Sequence, residues 1–490
     1  AASDVLVESD ANLIQINDSS VNIGNITVKR NANLKRLDYN YWGAPVSGQN
    51  VRSFSPETLN TRFYFYNESN DYFDGIFVSN KYPTGTYSLT PVQNASTYNF
   101  EIAKGYAIRS SNNYTSAITT FAGNFVGVPN NGINSYALAF TDANHGHNLI
   151  ANPYPSNLDF DALYSNNSAL IYNTIYFWTN VNPNPSMQSN QYPKVGSINN
   201  YAVYSGTGGL SAPYGFDPSR PAAPTPNNVI KVGQGFVVKA KSAGNLNFQN
   251  SFRTKTAGTF FNRMANTTSK DRYWLELKTP LNFVTPMLIG YVNGATDLYE
   301  FDFDVPLLIQ GADTFYSVLQ DKKLAIQGRK FPLNQEDAVA LGAVFYDNGL
   351  HTISLANKEG VFANGQPIYL HDKKEELYIN LQKDSYTFSA EKGESTDRFE
   401  IVYNTANRIL GTNEINKYGL LIYEADNHFV IKADEIFDQV KIYDFSGKLL
   451  KTIEAGKKQI WVEKSILNTG TNIFSIIFAD EIINKKILVK

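Results

Sequence analysis

The sequence predicts an all-β protein: tandem antiparallel β-sandwich domains ending in a small Ig-like β-sandwich. Three observations predict it. Aromatic residues make up 13% of the chain, with 31 Tyr and 31 Phe, and such residues favour pleated, half-buried surfaces. Charged residues are only 18%, and long helical runs of Ala, Glu, Lys and Leu are almost absent. Short alternating apolar stretches recur between clusters of Gly, Asn, Asp, Ser and Pro, the punctuation of strands and turns. At 490 residues the chain exceeds what one hydrophobic core supports, so several domains are expected.

Composition also excludes function classes. A net charge of −3 gives no electrostatic case for nucleic acid or an anionic membrane surface. With no cysteine, disulfides and thiolate metal sites are ruled out. No apolar run approaches the length needed to span a bilayer. The start, Ala1-Ala2-Ser3-Asp4, lacks Met and any basic or apolar leader. Either a signal peptide has been removed or this is the C-terminal part of something longer.

Residues 1–37 carry strand signals at Val5-Leu6-Val7, Leu13-Ile14-Gln15-Ile16 and Asn25-Ile26-Thr27-Val28. They fit either the last rungs of a β-solenoid or a leading hairpin. An internal repeat follows. Tyr39 to Ser47 lines up with His147 to Pro155, Arg62 to Asn67 with Ile175 to Asn180, and Lys104 to Arg109 with Gln234 to Lys239. Phe121 and Phe125 match Phe248 and Phe252. Four matches in one order imply two copies of a β unit, 38–140 and 141–265. The second copy is longer by 181–228, rich in Pro, Asn, Ser and Gly, which reads as long surface loops without a regular strand or helix.

From 266 to 405, eight strand candidates predict one antiparallel β-sandwich. They are Tyr273–Leu277, Met287–Val292, Leu324–Gln327, Ala343–Phe345, His351–Leu355, Ile368–Leu370, Tyr386–Phe388 and Phe399–Tyr403. A short linker leads to 406–490, a compact β module. Val440 to Leu450 alternates around a turn at Ser446-Gly447. Gln459–Val462, Ile473–Phe478 and Lys486–Lys490 are its later strands, with a turn at Ala479-Asp480-Glu481.

This last module resembles the C-terminal sorting domains of the type IX secretion system, the export route of gliding and pathogenic Bacteroidetes. The residues that carry the resemblance are the lead-in Leu410 to Glu414, the central Val440 to Thr452 and the terminal Asn484 to Lys490. The more frequent type A domain has a Pro-Asn-Pro segment near its first strand. Here Leu421 to His428 has no proline, so the module looks more like the type C variant. The order of motifs in 266–405, and the "DYNYWGAPVSGQ" and "NLIANPYPS" motifs, resemble regions of large secreted flavobacterial surface proteins.

The resemblance implies a non-enzymatic C-terminal region of a secreted protein, exported through the periplasm and outer membrane to the cell surface or beyond. The partners it implies are the outer-membrane translocon barrel and the shuttle β-barrel of that system. The upstream sandwiches would serve surface display or adhesion toward glycans or other cell-surface proteins. A chain that ends in a strand pattern offers a free edge, and edge-strand and apolar contacts by the last hairpin are the expected means of recognition. The residues singled out for it are Lys485, Lys486, Ile487, Leu488, Val489 and Lys490. The alternative is a set of carbohydrate-binding modules from a polysaccharide-active protein, which predicts an exposed row of aromatics on one sheet face.

His145-Gly146-His147 puts two imidazoles on one strand face if the strand is regular, but Leu37 and Tyr39 hold those places in the other copy, and no third ligand stands out. Glu300-Phe301-Asp302-Phe303-Asp304 would line three carboxylates on one strand face, a calcium edge or a catalytic pair, or simply a solvated face. Asp159-Phe160-Asp161 reads as a local backbone cap. Gly206-Thr207-Gly208-Gly209 leads into Ala212-Pro213 rather than a helix, so it lacks the N-terminus a phosphate cradle needs. Trp42, Trp178 and Trp274 suit sugar stacking if exposed, but sit in alternating strand patterns that favour core positions. No catalytic, cofactor or metal residue is nominated.

Overall fold

The computed structural model describes all residues except 1–4, 71–88, 92–95, 182–199, 216, 257–269, 308–312, 406–417, 419, 426 and 490. The lead-in Leu410 to Glu414, the Asn182 to Ser186 run and Lys490 lie outside the described residues. The protein is all-β, with 52% of residues in strands and 6% in helix. It divides into two compact units, Ala1–Tyr403 and Asn404–Lys490.

Within the first unit the repeat is visible as topology. In the first copy Tyr39–Trp42 pairs with Tyr106–Arg109, which pairs with Phe63–Tyr66. In the second copy His147–Ala151 pairs with Gly235–Ala240, which pairs with Ile171–Trp178. The register also repeats: Tyr39 faces Arg109 as His147 faces Lys239. Each copy has a short helix after its corner. Asn50 caps Val51–Phe54, and Asp159 caps Phe160–Asn167 by accepting from the Asp161 and Ala162 N–H groups. The structure starts each copy one strand earlier than the sequence matches do. Ile26–Leu34 pairs with Thr119–Pro129, and Asn134–Leu138 pairs with Gly244–Phe248.

The copies meet about a pseudo-two-fold axis, and small residues make the meeting possible. Trp42 bridges to Gln234, and the equivalent Ile150 bridges to Lys104. The Gly43 N–H donates to the Gly233 carbonyl (3.1 Å), and the equivalent Ala151 N–H donates to the Ala103 carbonyl (2.8 Å). A Cβ on Gly235 would lie 2.9 Å from Tyr41 Cβ, and one on Gly105 would lie 2.7 Å from Leu149 Cγ. Gly43 is tighter still, 2.0 Å from Ala151 Cβ. Ala103 and Gly233 both take a left-handed backbone, φ +61° and +70°, at the third position of matching tight turns.

Each copy fills its own core. Trp42, Phe54, Phe100, Tyr106, Phe121 and Phe125 make the aromatic centre of the first. Phe54 and Phe125 stack at 4.3 Å, and Trp42 meets Phe54 edge-on at 5.2 Å. Tyr154, Leu158, Phe160, Ile175, Phe236 and Phe248 lie in the second. Tyr201–Ser205 extends the second sheet with all five residues buried. This corrects the expectation of an irregular loop over 181–228: the stretch returns as a strand because Tyr201 and Val203 have an apolar layer to enter.

Residues 271–402 form an eleven-stranded sheet that folds on itself. All eight strand candidates lie in it, with Val305–Pro306, Thr314–Leu319 and Leu377–Asn380 unforeseen. One pairing departs from the antiparallel expectation: Val284–Val292 runs parallel to Lys322–Lys330. Val284–Val292 is buried at all nine positions because both faces are covered. Met287, Ile289 and Tyr291 enter the sandwich core, while Leu288 joins Trp274, Tyr176, Tyr201 and Tyr41 in a layer shared with the repeat copies. A strand covered on both faces reads as an unbroken apolar run.

The close approach of the copies yields a direct prediction. Gly105→Ala and Gly235→Ala should each cost about 1–3 kcal/mol, the usual penalty of overpacking, because a methyl group would overlap the partner copy. Urea unfolding of the chain followed by tryptophan fluorescence measures both, and losses below about 0.5 kcal/mol would mean the copies slide apart easily.

Candidate functional site

The residues singled out near the C-terminus belong to the second unit. Its centre is one long hairpin, His428–Asp444 and Leu449–Glu463. The first strand pairs with Leu421–Ala425 through its first part and with Gly470–Ile477 through its last part. Register shifts between Lys432 and Gln439 mark where the strand bends within the unit's five-stranded sheet. The two halves close over Phe429, Ile431, Phe437, Val440, Phe474 and Ile476. Tyr418 stacks on Phe478 at 3.9 Å, and its hydroxyl bonds to Asp480 in the turn anticipated there.

The hairpin tip is built as the sequence indicated. Asp444 accepts from the Ser446 hydroxyl (2.7 Å) and from the Ser446 and Lys448 N–H groups. These bonds, the Ser446 hydroxyl first, hold its carboxyl below the usual range. Gly447 supplies the left-handed turn residue, φ +87°.

Among the described residues, Ile482–Val489 is the last strand of its sheet and pairs on one side only, with Gly470–Ile477. Ile483, Lys485, Ile487 and Val489 alternate with Ile482, Asn484 and Lys486, which are exposed. Ile483 and Ile487 pack on the core and Val489 is part of it. Of the residues named from the sequence, Ile487 and Val489 therefore hold the strand in place, and Lys486 is presented outward. Lys485 lies on the inward-leaning face and is half-buried. Nothing is described of the Leu488 side chain.

Two exposed aromatics in this unit were missed. Phe445 at the tip is 81% exposed and Trp461 is 61% exposed. The signal for Trp461 was present: Ile460 and Val462 are buried on either side, so period-two alternation turns it outward.

The remaining candidates in the first unit serve the scaffold. The strand His147–Ala151 begins after Gly146, whose φ of +93° breaks the regular alternation, so His145 and His147 do not share a strand face. His145 pairs with Asp142 at 2.8 Å while His147 is buried. Among the described residues no group of three His, Asp or Glu is placed to hold a metal ion. The Gly206–Gly209 segment presents carbonyls to cations, Lys270 on Gly206 (2.9 Å) and Arg272 on Thr207 (2.8 Å), the wrong polarity for a phosphate. Trp42 and Trp274 are buried, and Trp178 is half-buried against Tyr41 and Tyr201. A cavity of about 30 Å³ lies among Tyr176, Tyr201, Leu210, Pro286, Val305 and Phe315, room for a water or two.

The carboxylate run is a turn, which corrects the strand expectation. The Phe303 and Asp304 N–H groups both donate to the Glu300 carbonyl. The three carboxylates consequently diverge. Glu300 accepts from the Thr296 N–H (2.7 Å). Asp302 accepts from the Asn173 N–H (2.7 Å) and pairs with Lys241 (3.2 Å), tying the sandwich to the second copy. Asp304, 1% exposed, accepts from the Glu300 and Gly328 N–H groups at 2.7 and 2.8 Å.

Burial pushes the Asp304 carboxyl up to about 7, against the pull of those two N–H donors. A folded-state value above the unfolded one means the native chain holds the proton more tightly. The associated stability is present below about pH 4, declines as pH rises, and is gone above about pH 7. The span corresponds to at most about 4 kcal/mol. Asp304→Asn should flatten this part of the stability profile, read from urea unfolding at pH 4.5 and pH 7.5; an unchanged slope would place the titration elsewhere.

Among the described residues no helix is long and apolar enough to cross a membrane. Nothing among curated proteins matches the chain. Among solved structures, a β-D-glucuronidase of Dictyoglomus thermophilum aligns at 8% identity over 46% of this chain and 44% of that one. This chain thus spans less than half of that protein's length, and a TM-score of 0.10 carries no argument. A family model described as "Domain of unknown function (DUF8693)" matches residues 1–403, the extent of the first compact unit. The chain belongs to that family, and its second unit lies outside the match.

Proposed function

We propose that this chain is the non-enzymatic C-terminal region of a secreted cell-surface protein, with residues 404–490 as its export address. The address is read by the outer-membrane translocon barrel and shuttle β-barrel of a type IX secretion system. The observation that carries the reading is the terminal strand Ile482–Val489, open on one edge of a separately compact unit. An open edge recognises a partner by backbone hydrogen bonds, and alternate side chains add specificity. Ile482, Asn484 and Lys486 are the side chains such a partner meets.

The first unit serves display or adhesion in this reading. Sugar-binding modules work through exposed aromatic platforms. No described aromatic side chain in 1–403 is exposed, so display is favoured over carbohydrate binding.

The test is export of a reporter joined to residues 404–490 in a host with an intact type IX system. The full module should carry the reporter out, and removal of 482–490 should leave it in the periplasm. Truncation also exposes core, so Ile482→Glu with Lys486→Glu is the sharper variant. It should melt as the parent does and export about tenfold less, the effect of losing about 1.4 kcal/mol of recognition. Equal export of parent and double variant would remove the edge from the mechanism. Retention of the parent would remove the export reading altogether.

A further inference from the structure

The segment ahead of Ile26 makes one turn of a three-cornered coil. Val5–Val7 pairs in parallel with Ile26–Val28, Val5 beside Ile26, so the chain returns to the same lateral place 21 residues later. A tight hairpin cannot do this, because it pairs its strands antiparallel. The first corner is Glu8–Ala11, closed by a 2.9 Å backbone bond, with Asp10 at φ +70°. The second is Asn17–Ser20, also closed by a backbone bond, and the third is Gly24 at φ +89°.

The coil is firmly held from one side. The Leu13 N–H donates to the Pro155 carbonyl (2.7 Å). Asn131 donates to the Asn17 and Ser20 carbonyls at 2.9 and 2.8 Å. Gln15 and Asn22 exchange two side-chain bonds across the arms, and Asn22 also donates to the Pro129 carbonyl.

Around these anchored positions the alternate residues are apolar and open. Ile16, Val21 and Ile23 are 89%, 86% and 95% exposed, and Val5 and Leu6 about half so. Val5–Val7 is also the end strand of its sheet. A coil that ended in water would carry a polar outer face, as terminal repeats of solenoids do. This face is the reverse of a cap.

We infer that residues 5–25 are one rung of a parallel β-solenoid, and that their open face receives another apolar rung. Val5–Val7 pairs in parallel with a strand of that rung, while Ile16, Val21 and Ile23 pack beneath its apolar residues. A second copy of this chain does not fit the same role. Two identical edges related by a two-fold axis pair antiparallel, so the register of pairing tells the two occupants apart, and the test below reads it.

The test inserts a second copy of residues 5–25 directly before Val5 in the full chain. The copy should raise the melting temperature by several degrees and slow exchange of the outward amide protons of Val5–Val7 about tenfold or more. The chain has no cysteine, so register is read by disulfide trapping. Leu6→Cys should cross-link to the same substitution in the inserted copy, and not to a copy carrying Ser9→Cys instead. Unchanged melting and exchange, or equal cross-linking of both pairs, would overturn the inference; so would dimerisation of the unaltered chain that Ile23→Lys abolishes.

Discussion

The first unit depends on the crossing of its two repeat copies. Backbone passes against backbone at Gly43, Gly105 and Gly235, where no side chain fits. Two reciprocal bridges and two reciprocal hydrogen bonds follow from that contact. Tyr41 then reaches Tyr201, hydroxyl to hydroxyl at 2.6 Å, and the joined sheets present one apolar layer to Trp274 and Leu288. The eleven-stranded sandwich therefore shares a core with the copies. Remove the close approach and three layers lose their common surface. The stored cost is local, a left-handed alanine at Ala103 where the other copy has Gly233.

Much of this was legible in the residues. Alternation of Tyr39 and Tyr41, or of Ile460 and Val462, reports strand and face together, because side-chain direction has period two. The repeat was legible because both copies need glycine at the same crossing: Gly105 and Gly235 are what made Lys104 to Arg109 and Gln234 to Lys239 recognisable. The failures share a cause. Glu300 to Asp304 alternates as a strand does, yet it turns, because Asn173 and Gly328 offer Asp302 and Asp304 N–H donors that only the tertiary fold supplies. Tyr201 to Ser205 looked like loop because its neighbours are Pro- and Gly-rich, but a buried sheet edge was waiting for it. Trp461 was overlooked although the two residues flanking it specify its direction.

The second unit is a separate problem joined to the same chain. The family match stops at Tyr403, where the first compact unit stops. Its four described candidate recognition side chains, Lys485, Lys486, Ile487 and Val489, sort by the pleat into those that lean on the core and one that faces outward, a distinction residue type alone does not make. Ile487 and Val489 resemble recognition residues in sequence and behave as ballast in the fold. Lys486 alone among the described candidates stands exposed.

The bent strand His428–Asp444 pairs with Leu421–Ala425, Leu449–Glu463 and Gly470–Ile477, three of the other four strands of the second unit's five-stranded sheet. The sheet cannot come apart without breaking that strand's pairings. Partial melting of this unit is therefore uphill at every step, and its terminal edge is either fully formed or absent. Under the proposed function, a partner that pairs with that edge would therefore also be reading whether the module displaying it has folded.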